Sequence, residues 1–192
     1  MHGHRRFVAL ASVLAFVVSG VGLEFGPVGV AAGGETTVLL KNGGFEKAAN
    51  PSTGLPRYWS TNSWGDLATM SWVSDVHHGG DFSVQISAST PDDAAWIQTV
   101  AVVPHTLYRL SGWIRVRGVA STRGGGANLC FYGTWTHTAG LTRNHQWTSV
   151  SVVMDSGDQQ QLTVGARLGY WADNATGNAW FDNVKLTPIG PA

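Results

Sequence analysis

Short runs of alternating apolar and polar residues recur along most of this chain, and Gly, Pro, Asn and Asp residues separate them. Such alternation is typical of β-strands with one buried face, and no helical spacing of apolar residues competes with it. The runs predict nine strands, at residues 38–40, 71–74, 83–87, 96–102, 107–117, 128–132, 148–154, 162–168 and 179–186. Nine short strands in about 150 residues predict an all-β fold, a jelly-roll β-sandwich of two antiparallel sheets.

The alternation also predicts which side chains point away from the core. In the stretch 107–117 the even-numbered positions from 108 onward are apolar or small, and the odd-numbered positions from 109 onward are polar or aromatic. The stretches 128–132 and 162–168 divide in the same way, so these three strands are expected to share one polar surface opposite the core. Three side chains on that surface are suited to bind a ligand: Arg115, Tyr132 and Arg167.

The N-terminal part of the chain has the organisation of a secretory signal. A basic pair, Arg5 and Arg6, precedes an apolar run over 7–18, and small residues follow just before position 33. The apolar run is too short to favour a membrane-spanning helix. We therefore predict a signal peptide over 1–32, a single mature domain over 33–192 and a secreted, extracellular location without membrane insertion after cleavage.

Composition and charge limit the partners of the mature domain. The whole chain is 43% hydrophobic and 12% charged, which is enough for a sizeable core. Removal of the signal leaves ten basic and eleven acidic residues. This near-neutrality argues against nucleic acid and anionic membranes as partners, so we expect an uncharged ligand. We also expect a monomer. Cys130 is the sole cysteine, which excludes an intrachain disulfide.

The nine tryptophans are the most distinctive part of the composition. Flat aromatic faces pack on the C–H side of a pyranose ring, and they do so at little entropic cost because only two side-chain torsions must be fixed. Six tryptophans lie in or beside predicted strands and are expected in the core: Trp59, Trp72, Trp96, Trp113, Trp147 and Trp180. The other three lie in Gly- or Asn-flanked loops and are expected to be exposed and to contact a ligand: Trp64, Trp135 and Trp171.

Four short motifs, taken together in this order, resemble a known family. They are Asn42-Gly43-Gly44-Phe45-Glu46, His78-Gly79-Gly80-Asp81-Phe82-Ser83, the stretch from Pro104 to Trp113, and Trp180-Phe181-Asp182-Asn183-Val184. The chain from about residue 39 to 186 resembles carbohydrate-binding modules of families 4, 9 and 22, which have a galactose-binding-domain-like jelly roll. The resemblance implies a non-catalytic protein that binds a neutral polysaccharide or oligosaccharide, with xylan or β-glucan as the usual ligand class.

A metal site is the second implication of this resemblance. A buried carboxylate is unfavourable unless it is paired or coordinates a metal, and oxygen ligands suit calcium. The family places a structural calcium between the first strand, the turn after the third strand and the last strand. Glu46 and Asp182 match its side-chain ligands, and Gly44, His78 and Asp81 are candidates for further oxygens. From the residues alone, a solvated Glu46 and an Asp182 that caps a turn remain an alternative.

For the sugar, the family binds on its concave face or at the loop edge. The resemblance carries over to the three polar-face side chains and the three loop tryptophans: Arg115, Tyr132, Arg167, Trp64, Trp135 and Trp171. Cys130 stands at a polar-face position where a side chain that contacts the sugar would be expected, so the sequence departs from a full cleft pattern there.

Two other function classes remain open at this stage. A glycoside hydrolase normally needs two carboxylates flanking the scissile bond, yet the only Glu residues of the mature chain are Glu35 and Glu46. A polysaccharide lyase with a Tyr or His base is an alternative, in which Tyr132, His137 and Arg167 would be neighbours. A cell-surface or adhesion module that binds protein would instead show a large apolar patch without a groove.

Overall fold

A computed structural model describes residues 37–50 and 54–192, which form β-strands joined by turns and loops. The strands are β1 (Ala48–Asn50), β2 (Leu55–Pro56), β3 (Ser60–Ser63), β4 (Thr69–Val73), β5 (Ser83–Asp92), β6 (Ala94–Ala101), β7 (Thr106–Ser121), β8 (Ala127–Phe131), β9 (Arg143–Asp155), β10 (Gln161–Leu168) and β11 (Ala175–Pro191). Within these residues there is no helix long and apolar enough to cross a membrane. The predicted signal peptide, 1–32, lies outside the described residues.

Two antiparallel sheets form the sandwich, and a short β1-β2 hairpin lies beside them. The four-stranded sheet has the order β3-β6-β10-β8, and the five-stranded sheet has the order β4-β5-β11-β7-β9. Most neighbouring strands are distant in sequence, so the chain crosses repeatedly from one sheet to the other. The prediction of an all-β jelly-roll sandwich is confirmed.

Eight of the nine predicted strands correspond to β4–β11. The prediction at 38–40 was wrong, because those residues form no strand, although the Leu39 amide donates to the Leu186 carbonyl at 2.9 Å. The alternation did not reveal β3, since this edge strand is entirely polar, with the sequence STNS, and mostly exposed. An edge strand that is exposed to solvent on both faces has no alternation of apolar and polar residues, so the pattern does not reveal it.

The core lies between the two sheets. Residues 108, 110, 112, 114 and 116 of β7 are all buried, as the alternation predicted. The largest completely buried rings belong to Phe45, Trp96, Tyr108, Phe131 and Phe181. Burial of one such side chain contributes roughly 1.5–3 kcal/mol to stability. Of the six tryptophans expected in the core, Trp59, Trp96 and Trp180 are buried, and the other three are half-buried.

The shared polar surface predicted for three strands does not exist. Strand β7 belongs to the five-stranded sheet, whereas β8 and β10 belong to the four-stranded sheet. The outer faces of the two sheets point in opposite directions, so Arg115 lies on the other side of the molecule from Tyr132 and Arg167. Alternation shows which residues face the core, but it does not show which sheet a strand joins.

Candidate functional site

Four of the side chains predicted to bind a ligand meet in one cleft on the outer face of the four-stranded sheet. The cleft has a volume of about 610 Å³. Tyr132 follows β8, Arg167 lies on β10, and Trp64 and Trp171 stand on the loops after β3 and β10. Asn62 and Asn174 add amide groups to the lining. The strands therefore supply the floor of the cleft and the loops supply its rim.

Tyr132 lies across the floor from one edge of the sheet toward the other. Its hydroxyl donates a 2.8 Å hydrogen bond to Oδ1 of Asn62 on β3. Gly165 makes this possible, because a Cβ there would lie 3.2 Å from Cδ2 of Tyr132 and 3.0 Å from Sγ of Cys130. Burial raises the pKa of Tyr132, and the nearby Arg167 charge lowers it only in part. The phenol therefore stays protonated and acts as a hydrogen-bond donor at neutral pH.

A buried ion pair lies beneath the rim. The guanidinium of Arg167 donates from Nε and Nη2 to the two carboxylate oxygens of Asp93, and both side chains are less than a tenth exposed. Burial lowers the pKa of Arg167, but the hydrogen bond and charge of Asp93 raise it above its ordinary value. Three rings surround the guanidinium carbon, with centroids at 4.8–5.4 Å: Tyr132, Tyr170 and Trp171. Because Asp93 neutralises Arg167, the cleft floor carries no net charge.

Asp93 was not among the predicted site residues, although the sequence contains a signal for it. Two adjacent carboxylates stand directly before the buried strand β6, and an arginine stands within the apolar strand β10. Charges inside otherwise apolar strands are rarely buried unless they are paired. The β6 and β10 register places Arg167 opposite Ala95, two residues beyond Asp93.

The neighbouring carboxylate, Asp92, fixes the loop 63–68 that carries Trp64. Its oxygens accept five hydrogen bonds of 2.5–3.0 Å, from the Ser63 hydroxyl and from the backbone amides of Gly65, Leu67, Ala68 and Asp93. Burial raises the pKa of Asp92, but these hydrogen bonds bring it below its ordinary value. Trp64 itself is 84% exposed at the crest of this anchored loop.

Asp173 fixes the loop that carries Trp171, on the other side of the rim. It accepts hydrogen bonds from the Thr122 hydroxyl and from the amides of Thr122, Arg123 and Gly125. Tyr170 and Asp173 also exchange both backbone hydrogen bonds, at 3.0 Å each. Between them Trp171 has a φ of +55°, which is strained for a bulky residue. Such strain persists where the surroundings fix it, and it is concentrated at functional sites.

Trp135 adjoins the cleft without lining it. Its ring centroid is 5.2 Å from that of Trp171, and it is 77% exposed. The Tyr170 hydroxyl and the Trp171 indole both donate to the Thr134 carbonyl, at 2.8 and 3.4 Å, which ties the two loops together. Trp135 and Trp171 thus form a continuous aromatic shelf that extends the rim. All three loop tryptophans are exposed, and their contact with a ligand stays a prediction.

The remaining predicted positions on these strands lie elsewhere. Arg115 is on the outer face of the five-stranded sheet, with its guanidinium carbon 5.9 Å from the centre of the Trp180 ring. Cys130 is fully buried beneath the cleft floor, and burial raises the pKa of its thiol to about 11. The ring of His137 packs against Tyr170 in a tilted arrangement, with ring centroids 4.0 Å apart.

The residues predicted to hold calcium converge at the turn 78–82. The carboxylate of Asp182, which is fully buried, accepts hydrogen bonds from the amides of His78 and Gly79 at 2.8 and 2.9 Å. Glu46 accepts from the amides of Asp81 and Phe82 at 3.0 and 3.3 Å. Gly44 lies beside Glu46 and the residue after Asp182, because a Cβ there would be 3.9 Å from Cγ of Glu46 and 3.4 Å from Oδ1 of Asn183.

Glu46, Asp182 and the turn 78–82 form a site that we call the seam. Its electrostatics are unfavourable for two free carboxylates. Burial raises the pKa of Asp182, three amide hydrogen bonds lower it, and the charge of Glu46 raises it further, so the net shift is upward. Neither carboxylate forms an ion pair with a described residue. Among the described residues, no group of three or more His, Cys, Asp and Glu side chains is placed to hold a metal. A cation at this seam would therefore need backbone carbonyl oxygens as additional ligands.

Comparison with known proteins defines the fold. No protein-family model matches the sequence, and no curated protein matches it. Among solved structures, the CBM22-1 xylan-binding domain of Paenibacillus barcinonensis Xyn10C is 14% identical, with a TM-score of 0.54, over 82% of this chain and 97% of that domain. A putative sugar-binding protein from Bacteroides thetaiotaomicron is 16% identical, with a TM-score of 0.54, over 80% of this chain and all of that protein.

A further match is the enzymatically active domain of tailspike protein 4 from bacteriophage CBA120. It is 16% identical, with a TM-score of 0.54, and the match covers 79% of this chain but only 21% of the tailspike chain. At such identities the likeness concerns the fold. The protein therefore has the jelly-roll fold of carbohydrate-binding modules, and the resemblance seen in its sequence motifs is confirmed at that level.

Proposed function

We propose that this protein is a secreted, non-catalytic carbohydrate-binding protein that holds a neutral polysaccharide or oligosaccharide, of the xylan or β-glucan class, in the cleft. The cleft carries this proposal, because exposed indoles of Trp64 and Trp171 stand over a floor without net charge. Pockets of roughly 300–1,000 Å³ with aromatic walls and a few polar groups are typical of small-ligand sites. A neutral glycan needs this combination of flat apolar walls and amide groups.

The rim is preorganised for binding. Asp92 and Asp173 hold the loops of Trp64 and Trp171 through eight hydrogen bonds in total, so little conformational freedom remains to be lost when a ligand enters. The aromatic shelf of Trp135 and Trp171 continues the rim, which supports an extended ligand rather than a single sugar. Fold similarity to a xylan-binding domain supports the same ligand class.

The state of the carboxylates at the cleft favours binding over catalysis. Asp93 accepts from two guanidinium nitrogens of Arg167, and Asp92 accepts from the loop that carries Trp64. A glycosidase needs one free acid and one free base across the scissile bond. The raised pKa of Tyr132 also makes it a poor general base for the lyase alternative. The protein-binding alternative calls for a broad apolar patch, whereas this surface is a groove.

Substitution of Trp171 by Ala should weaken the binding of a neutral oligosaccharide about thirtyfold, because loss of a stacked aromatic hot spot costs about 2 kcal/mol. Isothermal titration with xylohexaose and with a mixed-linkage β-glucan oligosaccharide would measure it. Tyr132→Ala should reduce affinity to a similar degree while the fold is retained. Tyr58→Ala is the matched control, since Tyr58 is 47% exposed and outside the cleft.

Three results would contradict this proposal. The first is a double variant, Trp171→Ala with Trp64→Ala, that binds the neutral oligosaccharides as tightly as the wild-type protein does. The second is a protein that binds no neutral glycan on an array. The third is release of unsaturated products or new reducing ends from any polymer, which would establish the lyase or another enzyme instead.

A structural calcium at the seam is the second part of the proposal. The donor set suits a hard cation in part, since Glu46 and Asp182 offer carboxylate oxygens beside the turn 78–82, whose backbone carbonyls would have to complete the coordination. The cation would also offset the mutual repulsion of two carboxylates that have no described basic partner. Gly80 belongs to this arrangement, because a Cβ there would lie 2.2 Å from Oε1 of Glu46.

Removal of calcium should lower the melting temperature of the protein. A ligand that binds only the native state at a hundred times its Kd stabilises it by about 2.7 kcal/mol, or roughly 5–10 °C in Tm for a domain of this size. Differential scanning calorimetry with chelator and with added calcium would measure the shift. Asp182→Asn should abolish the response, and Asp75→Asn, an exposed control, should retain it. A fully demetallated protein with an unmoved Tm would exclude the site.

A further inference from the structure

A second cavity lies on the outer face of the five-stranded sheet, on the opposite side of the molecule from the cleft. It has a volume of about 320 Å³ and lies between β7 and β9. Its polar lining consists of Arg115, Arg117, Asn144, His145 and Gln146. The functional proposal above makes no use of any of these residues.

Two β-bulges form this cavity. The β7–β9 register shifts between Ile114 and Val116 and again between Val116 and Val119. At the second shift Gly118 has a φ of +63°, and its amide donates a 2.8 Å hydrogen bond to Oδ1 of Asn144. Bulges unpair a residue, bend the strand and redirect side chains, and they are frequent next to functional sites. The cavity is thus a fixed feature of the sheet.

The two arginines of the cavity point to the same side. Arg117 pairs with Asn178 and Arg115 pairs with Trp180 in the regular part of the β7–β11 register. Residues two apart on one strand lie on one face, about 6.6 Å apart along it. The guanidinium of Arg115 lies over the Trp180 ring, an arrangement that leaves its N–H edge free for an acceptor.

Neither guanidinium has a partner among the described residues. No hydrogen bond or ion pair joins the side chain of Arg115 or Arg117 to a described acceptor. The stretches 115–119, 143–147 and 176–180 contain three arginines, with Arg143 as the third, and no Asp or Glu. Arg167 on the opposite face, by contrast, has its charge neutralised by Asp93. The cavity is therefore a local concentration of positive charge on a chain of near-zero net charge.

We propose that this cavity binds the carboxylate of a uronic acid residue in an acidic saccharide. A guanidinium fork matches the planar carboxylate with two parallel hydrogen bonds. The amides of Asn144 and Gln146 and the ring of His145 line the same space and suit the hydroxyl groups of the attached sugar. None of the residues that line the cavity is Phe, Tyr or Trp, which disfavours single-stranded nucleic acid, since its bases bind mainly by stacking on such rings.

Titration with trigalacturonic acid at low ionic strength tests this site. Arg115→Gln combined with Arg117→Gln should weaken binding by at least about tenfold, because each charge-assisted pair contributes that much or more. Arg109→Gln is the matched control, since Arg109 is exposed on the same strand but does not line the cavity. Trp171→Ala should leave this binding unchanged, and the arginine double variant should retain the binding of neutral xylohexaose. These two arms separate a failure here from a failure of the cleft proposal.

Two results with other ligands would overturn the proposal: neutral galactotriose or inorganic sulfate binding as tightly as trigalacturonate. Binding of an oligonucleotide but not of trigalacturonate would also overturn it. So would loss of trigalacturonate binding in Trp171→Ala rather than in the arginine variant. Thermal melting of each variant shows whether it is folded. Should the glutamine variant unfold, the double Arg→Lys variant keeps the charge but loses the planar fork, and it should still bind several-fold more weakly. Unchanged affinity in that folded variant would overturn the proposal as well.

Discussion

Replacement of Asp93 by Ala should lower the free energy of unfolding by about 3–5 kcal/mol, since loss of one partner leaves the other charge buried and unpaired. Arg167 would keep its place among three rings, with five N–H donors and no carboxylate to accept from them. Denaturation in urea at neutral pH measures this loss. Because the pair also forms the cleft floor, the affinity for a neutral glycan should fall in the same variant.

A double variant separates the charge effect from the packing effect. Asp93→Leu together with Arg167→Met removes both charges and keeps apolar volume, so it should be more stable than Asp93→Ala alone. If Asp93→Ala proves as stable as the wild-type protein, the pair is not isolated from water. If the double variant is the least stable of all, packing of the side chains outweighs the charges.

Replacement of Asp92 by Ala should lower the free energy of unfolding by about 3 kcal/mol, because five donors lose their charged acceptor. A single hydrogen bond to a charged group contributes about 1.5–3 kcal/mol, and losses at one site are not additive. The loop 63–68 would loosen, and Trp64 would no longer be held at the rim. Asp66→Asn is the matched control, since Asp66 is an exposed acid in the same loop. Equal stability of the Asp92 variant and the control would show that solvent replaces the carboxylate without loss.

The lowered pKa of Asp92 gives this prediction a pH dependence. A carboxylate whose pKa is lower in the folded state stabilises the fold fully above its unfolded pKa of about 3.9, and the contribution disappears as the pH falls through the folded value. Asp173, whose pKa is also lowered by its amide hydrogen bonds against the effect of burial, acts in the same direction. Unfolding measured from pH 7 to pH 3 should show a flatter acid limb in Asp92→Asn than in the wild-type protein.

Local pattern was sufficient for eight of the nine predicted strands and for the two sides of β7, because the alternation of side chains is a property of one strand. It was insufficient for Arg115, since membership of a sheet depends on pairing between distant segments, and the paired residues of β7 and β11 are 54–85 positions apart. The exposure of Trp64, Trp135 and Trp171 could be predicted because Gly- and Asn-flanked loops lie at the surface. Their arrangement around one cleft depends on the hydrogen bonds of Asp92 and Asp173, which join positions 24–51 residues apart.

The calcium seam was predicted in a different way. The approach of Glu46 and Asp182 to one turn followed from the resemblance of the motifs to a family, and the periodicity of the strands contains no trace of it. The buried pair of Asp93 and Arg167 was the opposite case, because its signal lay in an arginine within the apolar strand β10 and a carboxylate directly before β6, and no family motif pointed to it.

The depth of Cys130 has a consequence for the chemistry of its thiol. The reactive form of cysteine is the thiolate, and a thiol with a pKa of about 11 is almost entirely protonated at neutral pH. The sulfur is also fully covered, beneath the ring of Tyr132 and beside Gly165. The native protein therefore resists mixed-disulfide formation, covalent dimerisation and alkylation, and its thiol becomes available only when the sheet that carries the cleft opens.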